Sequence, residues 1–121
     1  MSRRILSISN NPGLLLTRND MLAVAGYSVA SPRHPEDAHL LMESEPFDAV
    51  LIGDSVTPPA RARIVTELRA LRPQTPVLYV FANRERATEP AADQCVDVTG
   101  DPDGLLKALE MHIGGKLRRA A

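Results

Sequence analysis

Five short apolar runs, each bounded by turn or capping residues and separated by stretches of helical spacing, set the limits on what this chain can fold into. Ile5-Leu6-Ser7-Ile8, Tyr27-Ser28-Val29-Ala30, Asp48 to Gly53, Pro76 to Phe81 and Cys95-Val96-Asp97-Val98 read as strands. After the first, Ser9-Asn10-Asn11-Pro12 supplies capping oxygens and a first-turn proline. Leu14, Leu15, Met21, Leu22 and Val24 then predict an amphipathic helix that Gly26 stops. His34-Pro35-Glu36-Asp37 opens a second helix with Ala38, Leu41 and Met42 on its inner face. Pro59 to Leu71 carries Ile64, Val65, Leu68 and Leu71 at helical spacing, and Pro73 ends it. Asp101-Pro102-Asp103 has the cap, proline and carboxylate of a helix start, followed by Leu105, Leu106, Leu109 and Ile113 as the inner face. Strands alternating with helices predict a parallel sheet wrapped on both sides, and Asp48 to Gly53, the most apolar strand, should be covered on both faces.

Composition narrows the function. At 121 residues the chain makes one domain, 1–121, large enough for a real core. With 3% aromatics and no Trp the core must be aliphatic, and base stacking on nucleic acid is poorly supplied. A net charge of −1 gives neither a nucleic acid nor a membrane surface a strong field to respond to. One cysteine excludes an internal disulfide and suits a reducing compartment. Ser2-Arg3-Arg4 runs straight into a strand, and no apolar stretch approaches the roughly 18 residues a bilayer span requires, so the expected location is the cytoplasm.

Phe47 to Pro59 delivers a carboxylate to a strand end that opens directly into a helix, where open α/β sheets place their chemistry. The segment resembles the central strand and phosphoacceptor loop of response-regulator receiver domains of the chemotaxis-regulator type, whose pattern reads roughly Asp-apolar-apolar-apolar-apolar-Asp-x-x-Met-Pro. Ile5-Leu6-x-Ile8 with Pro12, Gly26-Tyr27-Ser28-Val29 with Asp37-Ala38 and Leu41, Pro76-Val77-Leu78, Ala92-Asp93 and Asp101-Pro102-x-x-Leu105-Leu106 resemble the remainder, in order, from Arg3 to about Ile113. The resemblance implies a flavodoxin-like, doubly wound (βα)5 three-layer sandwich with a five-stranded parallel sheet in the order 2-1-3-4-5. Only Asn83 to Pro90 separates Phe81-Ala82 from Ala91-Ala92, so the fourth helix should be short, irregular or missing.

The resemblance also implies where receiver chemistry would sit, and there the residues depart from it. Counting forward from Asp48 puts the acceptor at Gly53; counting back from Pro58 puts it at Asp54. The acidic pair that holds Mg²⁺ in receivers corresponds to Ser9 and Asn10, which carry no charge. The Thr or Ser whose hydroxyl meets the phosphoryl group corresponds to Phe81, followed by Ala82, and the Lys-Pro after the fifth strand to Val98-Thr99. A carboxylate nucleophile without electrostatic help for the developing charge is poorly equipped for phosphoryl transfer. Side chains alternate along a strand, so with Gly53 in the acceptor position a continuing strand aims Asp54 away from the pocket, unless a bulge reverses it. Asp54 accordingly reads as a polar loop residue capping the next helix with Ser55 and Thr57, or else as a residual acceptor.

The remaining candidates are weaker. Arg61, Arg69 and Arg72 share one helical face and read as a solvated surface, with partner docking the alternative. His34, His39 and His112 lack zinc-ligand spacing, and Cys95 reads as a small core residue. Ser9 to Gly13 lacks a Gly-rich phosphate fingerprint. The sequence therefore predicts a stand-alone, degenerate receiver-like domain, not an enzyme, without a cofactor, that works by binding a protein of a signalling pathway; a weak homodimer is compatible with this. The competing readings are a phosphorelay receiver using Asp54 and Mg²⁺, and a small-molecule or nucleotide module built on the strand ends near Asn10, Gly53 and Ala82.

Overall fold

The computed structural model describes residues 3–83, 85, 88–99 and 103–114. Strands β1 (Arg4–Ile8), β2 (Ser28–Ala30), β3 (Ala49–Gly53), β4 (Val77–Phe81) and β5 (Gln94–Asp97) form one sheet in the order β2-β1-β3-β4-β5. Every pairing is parallel. Helices α1 (Pro12–Val24), α2 (Ala38–Ser44), α3 (Pro58–Leu71) and α4 (Asp103–Leu109) pack on it, with a 3-10 turn at Pro35–Asp37 ahead of α2 and a π turn at Glu110–Gly114 after α4. This is the flavodoxin-like order predicted from the sequence. No α-helix lies between β4 and β5 among the described residues; residues 84, 86 and 87 of the 83–90 connection, and Asp101-Pro102 at the predicted start of the last helix, lie outside them.

The sheet is covered on both faces because its strands are apolar on both. On one side Leu6, Ile8, Val50, Ile52 and Val77 meet Met42 of α2 and Ile64, Val65 and Leu68 of α3. On the other, Ile5, Ala49, Leu51, Leu78, Val80 and Val96 meet Leu22 of α1 and Leu105, Ala108 and Leu109 of α4. β3 and β4 are buried along their whole length. Each such Leu, Ile or Val contributes roughly 1.5–3 kcal/mol relative to exposure.

Local signals set the helix ends. The Asn11 side chain accepts from the Leu14 N–H at 3.1 Å, Pro12 takes the first turn, and Gly26, at φ 99°, ends the excursion in the left-handed region that glycine enters without strain. Several inner-face expectations need correction. Leu14 (57% exposed) and Val24 (90% exposed) do not join the core, and α1 buries Leu22 fully. Leu71, in the last turn of α3, is also exposed. Cys95 is exposed because β5 is an edge strand and its side chain faces the segment around Glu89, whose carbonyl lies 3.8 Å from Sγ.

Candidate functional site

The carboxyl ends of β1, β3, β4 and β5 converge. Gly53, the last residue of β3, pairs with Val80, and the Asp54 N–H donates to the Val80 carbonyl at 3.0 Å, extending the ladder by one residue. The chain then turns, with the Val56 N–H donating to the Gly53 carbonyl at 3.2 Å. Asp54 Oδ2 accepts from the N–H groups of Ala82 (3.0 Å) and Asn83 (3.2 Å), the first two residues beyond β4. Thr99 Oγ1 donates to the Ala82 carbonyl at 3.0 Å, and the Val98 N–H to that of Phe81 at 3.0 Å. Asp54 thus fastens the end of β3 to the end of β4, and Thr99 continues the chain to β5. The expectation that Asp54 caps α3 with Ser55 and Thr57 is not met: α3 begins after Thr57 with no side-chain cap, because the neighbouring strand offers Asp54 two amides that need an acceptor.

Ser55 instead turns toward β1. Its Oγ lies 3.0 Å from Ser9 Oγ and accepts from the Asn10 N–H at 2.9 Å, while Ser9 Oγ accepts from the Asn11 N–H at 3.0 Å. Ser9 and Asn10 are therefore engaged in closing the β1–α1 and β3–α3 turns on each other.

Between these two sets of contacts lies Arg18, a residue not singled out from the sequence. It crosses from α1 to the strand ends, where Nη1 donates to Ser7 Oγ at 3.2 Å and to the Ile8 carbonyl at 3.4 Å. Its guanidinium covers Gly53: a Cβ added there would stand 2.6 Å from Arg18 Nη2. Ala49 and Leu51 face α1 and α4 while Val50 and Ile52 face α2 and α3, so the alternation turns Gly53 toward α1, onto the arginine. Burial lowers the Arg18 pKa to about 10, the nearby Asp54 carboxylate partly opposing it, so the side chain stays charged at neutral pH. The signal was a lone cation four residues after Leu14 and three before Met21, on the face read as apolar.

Receiver folds imply Mg²⁺ at these strand ends, and the residues present do not fit it. A hard divalent cation wants carboxylate and water oxygens. Ser9 and Asn10 are neutral and used in turns, Gly53 has no side chain, Asp54 brings a single carboxylate that already accepts two amides, and a guanidinium stands over Gly53. Among the described residues no group of three or more His, Cys, Asp or Glu could hold a metal ion, and His112 is hydrogen-bonded to Gln94 Oε1 at 2.9 Å.

The arginine face of α3 is a further correction. Arg61 is buried, 5% exposed, with Nε 2.7 Å from Glu89 Oε1, Nη1 donating to the Val56 carbonyl at 2.6 Å, and the guanidinium over the Tyr79 ring, 4.6 Å from its centre. Arg69 pairs with Asp93 at 3.0 Å and donates to the Thr75 carbonyl at 3.1 Å. Arg72 Nε is buried without a hydrogen-bond partner among the described residues. Arg61 and Arg69 reach inward because the chain ahead of β5 presents Glu89 and Asp93 to them. Desolvation works against ionisation of Asp93, but the Val77 N–H and Arg69 hold its carboxyl below the usual range.

No family profile matches the chain, and no curated protein matches it. Solved structures do. The response regulator protein TrrA of Thermotoga maritima, determined in complex with Mg²⁺ and BeF, is 18% identical with a TM-score of 0.79 over 91% of this chain and 98% of that one. A CheY-like response regulator receiver domain protein from Methanospirillum hungatei is 18% identical with a TM-score of 0.81, covering 98% of this chain and 99% of that chain. The receiver domain of a sensor histidine kinase from Pseudomonas aeruginosa, with a magnesium ion coordinated in its active-site cleft, is 21% identical with a TM-score of 0.78 over 94% of this chain and 99% of that one. At these identities the likeness establishes the fold: this chain has the architecture of receiver domains. No helix among the described residues is long and apolar enough to cross a membrane.

Proposed function

We propose that this protein is a receiver-like signalling domain that acts in the cytoplasm by binding another protein, without Mg²⁺-dependent phosphorylation of an aspartate and without enzymatic activity of its own. One observation carries the reading: a guanidinium covers Gly53, the position that matches the receiver acceptor by strand count, while the adjacent carboxylate of Asp54 is spent on the Ala82 and Asn83 amides. Phosphorylating Asp54 would convert that acceptor into a bulky acyl phosphate and disturb its two backbone bonds, while Ser9 and Asn10 offer a metal no carboxylate and Val98-Thr99 replace the receiver lysine. Phe81 and Ala82 supply no hydroxyl to be drawn inward, so signalling would proceed through a surface that is always presented rather than one switched by a phosphoryl group.

The test is a titration of ¹⁵N-labelled protein with MgCl₂ and beryllofluoride, following the amides of Ala82, Asn83 and Thr99. The expected result is no saturable displacement of these signals. Saturable shifts at millimolar Mg²⁺, spreading through β4 and β5, would favour a phosphorelay receiver and overturn the reading.

A further inference from the structure

A cavity of about 200 Å³ opens between α1 and α4 above the ends of β3, β4 and β5. Leu14, Met21, Val80, Phe81, Val98 and Leu105 make it predominantly apolar, and Arg18 and Asp54 are the charged side chains that line it. Leu14 and Met21 belong to the α1 face that the sequence assigned to the core. Leu14, 57% exposed, borders this space.

The size and the charges together indicate a guest. Dry apolar cavities of about 150 Å³ accept a benzene-sized molecule, so this one takes a body of that size or slightly more. Arg18 has no carboxylate in ion-pair contact among the described residues; its recorded partners are the neutral Ser7 hydroxyl and Ile8 carbonyl. The nearby Asp54 carboxylate offsets only part of the desolvation of this cation, and a ligand carboxylate matches the guanidinium fork. A simple carboxylic acid would also bring its charge toward Asp54. A carboxylate accepts as many as about four hydrogen bonds, so the two amide bonds do not by themselves bar an ammonium from Asp54.

We propose that this cavity binds an apolar α-amino acid of leucine or phenylalanine size. Arg18 takes the carboxylate, Asp54 faces the ammonium, and the side chain lies among Leu14, Met21, Val80 and Leu105. Such a ligand would touch β3, β4, β5, α1 and α4 together, giving the domain an input independent of phosphorylation. The inference does not depend on how the protein responds to Mg²⁺ or on its partner.

Isothermal titration of the full chain with L-leucine and L-phenylalanine, alongside 4-methylpentanoate and isopentylamine, tests it. The expected result is saturable binding of at least one amino acid, weakened about tenfold or more when either charged group of the ligand is removed. Arg18→Gln should weaken it by a similar factor. Leu14→Trp, a change at an exposed position that fills the cavity and leaves Arg18 in place, should abolish it even if Arg18→Gln fails to fold. Absence of saturable binding of both amino acids at millimolar concentration would overturn the proposal. So would 4-methylpentanoate binding as well as leucine, or Leu14→Trp binding as well as the parent.

Discussion

At the scale of single residues, the account rests on Asp54 and Arg18 having structural partners. Asp54→Ala leaves the amides of Ala82 and Asn83 without their acceptor and, because both bonds are open to solvent, should lower stability by roughly 0.5–1.5 kcal/mol. Asp54→Asn keeps an amide oxygen in place and should cost less; urea denaturation of the two variants measures the difference. An Asp54 with no structural role would give two variants as stable as the parent. Gly53→Ala sets a Cβ against Arg18 Nη2, the far end of a flexible side chain that can move aside, and should cost no more than about 1 kcal/mol. That penalty should vanish in an Arg18→Ala background, giving a coupling of about 0.5–1 kcal/mol in a double-mutant cycle; additive effects would mean the guanidinium does not fill the space over Gly53. The sequence located this position through a one-residue conflict between Gly53 and Asp54. It did not reveal Arg18, because a cation on an amphipathic helix looks like any surface arginine until the sheet beside it is in place.

At the scale of elements, α3 and the chain leading into β5 are joined by buried charge. Arg61 and Glu89 are both largely removed from solvent, so truncating one strands the other. Arg61→Ala should destabilise the fold by about 3–5 kcal/mol, with tyrosine fluorescence reporting the lost contact over Tyr79; a change below 1 kcal/mol, within the usual range for surface substitutions, would return Arg61 to the solvated face predicted from sequence. Asp93 acts on the acid limb. Its carboxyl titrates below the ordinary aspartate value in the folded state, so its contribution is complete above about pH 4 and is lost as pH falls through the lower folded value. Asp93→Asn should therefore lose about 1 kcal/mol at neutral pH, allowing for solvent screening at this half-exposed pair, and should unfold less steeply in acid. An acid limb unchanged by the substitution would show that Asp93 is not a source of the pH dependence. Helix existence and most inner faces were legible as periodicity. The inward arginines of α3 were not, because charge at helical spacing does not say which loop will lie across it, and Leu14 was misplaced because α1 leaves a cavity over the strand ends; nothing in the structure explains the exposure of Val24.

At the scale of the whole molecule, alternation of apolar strands with amphipathic helices was sufficient for a parallel sheet with two covered faces, while the order β2-β1-β3-β4-β5 was legible only through the resemblance to receivers. The parallel arrangement brings all the strand ends to one edge, where the fold offers a site whatever residues occupy it. Those residues are two neutral side chains, a glycine under a guanidinium, a carboxylate spent on backbone and a threonine closing onto β4. The central claim is that this edge no longer performs phosphoryl transfer. Intact-mass spectrometry after incubation with acetyl phosphate and Mg²⁺ tests it most directly. The account predicts an unchanged mass; a stoichiometric phosphoryl adduct that Asp54→Asn abolishes would contradict it.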